Sequence, residues 1–127
     1  MSSKFPGRLA IQQRVLPVYR APFFDTLAAS CEGGLSLFAG DPRPIEAIAT
    51  TENLKIARYI HAKNRHILRG SLYFCYQQNI IQWLEDTDPD GLILEANQRY
   101  LSTPVAIKWM RDRNRPVIGW GLGAPVR

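Results

Sequence analysis

The residues best suited to chemistry stand where apolar runs stop abruptly. The run over 92–96 closes on Glu95 and passes at once to Asn97 and Arg99. A carboxylate at the end of a buried strand can act as a base or accept a hydrogen bond from a sugar hydroxyl; equally, it can pair with Arg99. Asn97 and Arg99 are suited to a polyhydroxylated or phosphorylated ligand, because amide and guanidinium groups bond well to hydroxyls and phosphates. Downstream, Gly119, Gly121 and Gly123 follow the apolar run that begins at Val117. Glycines at a strand tip let a ligand approach the backbone, and they also make tight turns. Arg20 lies in Tyr-Arg-Ala-Pro-Phe-Phe, just ahead of a predicted helix whose first turn suits Pro22. Helix dipole and free N–H groups favour an anion there. The alternative for Arg20 is an ion pair with Asp25, or capping of a neighbouring element.

Other chemistries lack their signatures. There is no phosphate-loop pattern and no Gly-x-Gly-x-x-Gly after the first strand, so a nucleotide cofactor of the usual kinds has no warrant and none is expected. Cys31 and Cys75 are far apart, lie in apolar helical surroundings and read as reduced, packed thiols. No metal site is expected, since His61 and His66 fall in a basic stretch without nearby carboxylates. A serine or cysteine nucleophile cannot be argued from the pattern.

The elements that must position these residues alternate along the chain. Short apolar runs predict strands at 9–13, 35–39, 54–60, 92–96 and 117–120, and a further short extended piece over 65–69. Helices are expected from Ala21, stopped by Gly33-Gly34, over 72–86 with Ser71 as N-cap, and over 103–114. Leu72, Cys75, Tyr76, Ile80, Trp83 and Leu84 recur at helical spacing. Strand–helix alternation predicts an α/β protein with a doubly wound parallel sheet, order 3-2-1-4-5, incomplete at its C-terminus for want of a helix after the last strand. In such sheets ligands bind outside the carboxyl ends of the strands. An uncovered edge strand also predicts a homodimer through residues 117–120 or the last helix.

With 127 residues, the chain suits one domain, and its composition is that of a globular protein rather than a disordered one. Arginine supplies 12 of the 16 basic residues behind a net charge of +5, which favours anionic partners. Lys108, Arg111, Arg113 and Arg115 complement the dipole of the last helix. For Arg58, Lys63, Arg65 and Arg69, a phosphate-bearing ligand or an anionic membrane surface stands beside a solvated face. No nucleic acid partner is expected. No signal core or membrane-length apolar run occurs, so the cytoplasm, or the inner face of its membrane, is the expected location.

Four segments taken in order resemble the N-terminal half of a group 1, or family 4, glycosyltransferase of GT-B architecture. They are the run from Leu16 with Tyr-Arg-x-Pro-Phe-Phe, the Asp88-Pro89-Asp90 turn, the Glu-x-Asn-x-Arg-Tyr-Leu-Ser run from Glu95 to Ser102, and Pro-Val-Ile-x-Trp-Gly-x-Gly from Pro116. The likeness covers most of residues 8–123 and is weakest over 41–70. It implies a Rossmann-like acceptor-binding domain, 1–127, facing a second domain that binds the nucleotide-sugar and carries the donor-holding carboxylates. It also implies that Arg20, Asn97, Arg99 and the loop from Gly119 to Gly123 face the cleft, and that the acceptor is a sugar, lipid-linked or small molecule. The fragment alone would not turn over. One departure is Leu122, where such proteins often carry histidine. The alternative is a non-enzymatic flavodoxin-like module that binds an anionic ligand or partner.

Overall fold

The computed structural model describes residues 4–121. Five parallel strands form the central sheet: β1 (Leu9–Val15), β2 (Leu35–Gly40), β3 (Arg58–His61), β6 (Gly91–Glu95) and β7 (Val117–Trp120), in the spatial order β3-β2-β1-β6-β7. Between β3 and β6 the chain makes an antiparallel hairpin, β4 (Asn64–Ile67) with β5 (Phe74–Gln77). The helices are α1 (Ala21–Ala28), α2 (Ile80–Thr87) and α3 (Thr103–Arg111). The α/β class and the parallel sheet are as the alternation requires. In chain numbering the order is 3-2-1-6-7 rather than the expected 3-2-1-4-5, because the two hairpin strands intervene between β3 and β6; the extended piece expected over 65–69 overlaps β4, and β5 was not expected.

Alternation along the strands explains the layers. Leu9 and Ile11 of β1, Leu35, Leu37 and Ala39 of β2, and Ile93 of β6 pack toward α1 around Phe24. Ala10, Phe38, Leu92 and Leu94 point the other way, toward Trp83 and Leu84 of α2 and Ala106 and Met110 of α3. Both faces of β1 and β2 are covered, so β2 is apolar apart from Ser36 and β1 is apolar up to Ile11, with Gln12, Gln13 and Arg14 toward its C-terminal end. Each large aliphatic or aromatic side chain so buried contributes about 1.5–3 kcal/mol. Phe38 and Trp83 stack with centroids 4.6 Å apart, and the indole N–H donates to Ser36 Oγ at 2.8 Å.

Three expectations need correction. The helix over 72–86 starts only at Ile80; residues 70–72 form a short 3-10 turn and 74–77 are β5, so Ser71 caps nothing. The third strand covers Arg58–His61 rather than 54–60. Asp25 explains this: its carboxylate accepts the N–H groups of Lys55, Ile56 and Ala57 at 2.9–3.1 Å, which folds that segment into a turn. Cys31 and Cys75 are free and buried, but Cys31 follows α1 in a turn and Cys75 lies in β5, not in helices.

Candidate functional site

The order of the sheet reverses direction at β1, which has β2 on one side and β6 on the other. The tips of β1 and β6 therefore diverge into connections on opposite sides, and a crevice opens between them. The β1–β2 register shifts between Gln12 and Val15, so a bulge sits at the end of β1. Bulges re-aim side chains near binding sites. Here the bulge delivers Gln13 and Arg14, which follow Gln12 in β1, to the mouth of the crevice.

Two hollows meet there. The larger, about 550 Å³, is walled by Val15, Pro17, Val18 and Tyr19 from the end of β1 and by Ala47, Ile48 and Ala49 from the long β2–β3 loop. The smaller, about 360 Å³, is walled by Gln13, Ala96, Asn97, Trp120 and Gly121. Arg20 and Glu95 line both and form the ridge between them. The larger hollow is lined mostly by aliphatic side chains; the smaller has a greater polar share, from Gln13 and Asn97, with an indole at its side.

Arg20 caps α1 from the αR region, with Pro22 in the first turn as the sequence suggests. Its Nη1 donates to Gln13 Oε1 at 2.7 Å, and its guanidinium lies 5.3 Å from the Trp120 ring centroid and 5.5 Å from that of Tyr19. Such stacking holds the planar cation in place without neutralising it. The pairing with Asp25 does not occur, because Asp25 is occupied by the 55–57 backbone. Among the described residues Arg20 takes part in no ion pair.

Glu95 closes β6. Its Oε1 accepts the Arg14 N–H at 2.5 Å, and its own N–H donates to Gln12 Oε1 at 3.1 Å. Burial pushes its carboxyl up from the ordinary carboxylate range, against the pull of the Arg14 N–H and the charges of Arg20 and Arg14. A carboxylate with a raised pKa is a stronger base for a hydroxyl proton. The pairing with Arg99 is not made. Arg99 Nη1 instead donates to the carbonyls of Ser71 at 2.7 Å and Tyr73 at 3.0 Å, tying the 70–73 turn to the β6–α3 connection.

Arg20, Glu95, Asn97 and Gly121 are thus brought together, whereas Arg99 is directed to the hairpin. Asn97 is exposed, with its Oδ1 accepting the Arg99 N–H at 2.9 Å. Gly121 lies against Ala96, where an added Cβ would come within 3.2 Å of the Ala96 carbonyl oxygen. Gly119 pairs with Leu94 in the sheet and lines a separate apolar hollow beside Phe23, Leu27 and Ile118. Gly123 and Leu122 lie outside the described residues.

Sequence reasoning missed the polar support beneath the site. Gln12 Nε2 donates to Gln77 Oε1 at 2.7 Å, and Gln77 Nε2 donates to Gln13 O at 3.0 Å and Asn64 Oδ1 at 2.9 Å. All three glutamines are almost fully buried. Beside them Arg14 forms a two-pronged pair with Glu46, at 2.7 and 2.8 Å. Arg43 also reaches Glu46 and lies 4.0 Å over the Tyr73 ring. The signal available was the pair of adjacent glutamines after a short apolar run. Their partner, Gln77, is too distant in sequence to infer.

His61 does have carboxylates near it, Asp41 at 3.4 Å and Glu52 at 3.9 Å, contrary to expectation. Among the described residues no group of three or more His, Cys, Asp or Glu side chains is arranged to hold a metal ion. Among them, too, no helix is long and apolar enough to cross a membrane. The chain matches no family model, no curated protein and no solved structure.

Proposed function

We propose that this domain binds the acceptor of a nucleotide-sugar-dependent glycosyltransferase, with the donor held by a second domain across the cleft. The observation that carries the reading is the shared ridge: at the sheet's switch point Arg20 and Glu95 stand between an aliphatic hollow and one that offers the Asn97 amide and the Trp120 indole. An amphipathic acceptor fits that arrangement, its apolar part against Val18 and Ile48 and its sugar beside Asn97 and Trp120. Indole faces favour the apolar side of a sugar ring, and the amide and carboxylate take its hydroxyls. Glu95 would accept the proton of the attacking hydroxyl, and Arg20 would stabilise charge on the departing nucleotide diphosphate.

Calorimetry on the chain tests this against the binding-module alternative. An alkyl glycosyl phosphate should bind more tightly than a hexose phosphate, and that more tightly than inorganic phosphate. Nucleotide-sugars should not be hydrolysed by this domain alone. Equal affinity for all three phosphates favours a simple anion-binding module, which the unpaired Arg20 would support. Binding of none of them rejects both readings.

A further inference from the structure

The β4–β5 hairpin ends in a tip that water alone does not explain. Ile67, Leu68 and Leu72 are 40%, 63% and 62% exposed, close together in the chain around one tight turn. Leu68 also holds φ at 60°, in the left-handed region that penalises a side chain bearing Cβ. A leucine there costs free energy twice, by its backbone and by its exposure. Glycine or asparagine would relieve both costs, and Gly70 two residues on, at φ 64°, shows the turn using glycine in that way.

The tip is held rigidly rather than left loose. Arg99 fastens the Ser71 and Tyr73 carbonyls from below, and Tyr73 OH bonds His66 Nδ1 at 2.7 Å. Along the hairpin itself the charge is of one sign: Lys63, Arg65 and Arg69 are exposed, and between Glu52 and Glu85 the sequence has no aspartate or glutamate. Asp41, from the β2–β3 connection, adjoins the hairpin at His66, whose Nε2 bonds its carbonyl at 2.9 Å.

We infer that this hairpin tip docks on an anionic lipid bilayer, with Ile67, Leu68 and Leu72 entering the headgroup–acyl boundary and Arg65 and Arg69 meeting lipid phosphates. Fluid acyl chains accept a projecting aliphatic wedge without a matching pocket, and basic side chains beside it gain from the negative surface potential. Nucleic acid would use the arginines but offers exposed leucines nothing. Its usual apolar partners are aromatic faces on which bases stack. The inference does not depend on the glycosyltransferase reading, since its readout is attachment and not transfer.

Co-sedimentation of the chain with vesicles tests it. Binding is expected to phosphatidylcholine vesicles containing phosphatidylglycerol, to weaken with salt, and to be far weaker on phosphatidylcholine alone. The double variant Leu68→Gly/Leu72→Ser should lose about tenfold or more in vesicle affinity while its Tm stays level or rises. Arg65→Gln/Arg69→Gln should lose about tenfold on anionic vesicles, with far-UV circular dichroism unchanged. A chain that ignores anionic vesicles overturns the inference. So does vesicle binding that survives the leucine substitutions intact, or a fall in Tm for Leu68→Gly/Leu72→Ser with binding retained.

Discussion

Arg14 touches two carboxylates, and they are held in opposite ways. Glu46, from the β2–β3 loop, meets the guanidinium in a two-pronged pair and takes a further N–H from Arg43, at 2.7 Å. These bonds, the Arg14 pair first, outweigh desolvation and draw its carboxyl down to about 2. Glu95 meets only the Arg14 backbone, and burial drives its carboxyl upward. The first acid is spent on architecture: it latches the loop that walls the larger hollow. The second is left poised at the ridge. Both carboxylates face Arg14 and their pKa values move in opposite directions, and the difference lies in who supplies the donor.

The sharpest way to break this contrast is Glu46→Gln. Removing one partner leaves the half-buried Arg14 charge without its counter-ion, so stability should fall by about 2–3 kcal/mol near neutral pH. The sign with pH follows from a folded value near 2 against an ordinary 4.5. Stability from Glu46 is present above 4.5 and lost as pH falls toward 2. Urea unfolding across that window should show a steep acid limb in the native chain and a flatter one in the variant. Equal limbs would mean that the pair does not latch the loop.

Arg20→Ala comes next. It should weaken phosphate-ester binding by about 1.5–3 kcal/mol, the range for a charge-assisted hydrogen bond, as read by calorimetry. The cost to folding should be smaller, because only the bond to Gln13 is lost. The smallest effect on stability belongs to Glu95→Gln. An amide oxygen can still accept the Arg14 N–H, and the desolvated charge disappears. The sign is opposite to Glu46: a raised folded pKa means stability declines as pH rises from the unfolded value through the folded one. The variant should therefore be as stable as the native chain at pH 7 or slightly more so, by less than about 1 kcal/mol. A large loss would recast Glu95 as a structural acid like Glu46.

The same contrast accounts for what could be read in the residues. β1, β2 and β6 were legible because each is a short run whose burial is nearly continuous, and β7 because its short apolar run stops at glycine; Glu95 and Asn97 stand at the end of β6, and Arg20 just after the loop that follows β1. The hairpin was only half legible: the extended piece over 65–69 overlaps β4, but β5 was hidden. Leu72, Cys75 and Tyr76 continue the three- and four-residue spacing of α2, while the true two-residue alternation of β5 is masked because its second buried position is Gln77. A polar residue facing inward erases the strand signal, and the network that permits it is assembled from four distant segments. Arg99 misled for a similar reason: a guanidinium suits phosphate and backbone carbonyls alike, and only the fold decides between them.

The central claim is that the Arg20–Glu95 ridge joins two subsites of one ligand, an aliphatic one and one that offers an amide and an indole. Amide shift mapping by nuclear magnetic resonance, with an alkyl glycosyl phosphate and then its alkyl-free hexose phosphate, tests it most directly. The account predicts that the first ligand moves Val18 and Ala49 together with Asn97 and Gly121, and that the second moves only Asn97, Gly121 and their neighbours. Shifts confined to one hollow with both ligands, or clustered away from Arg20 and Glu95, would contradict it.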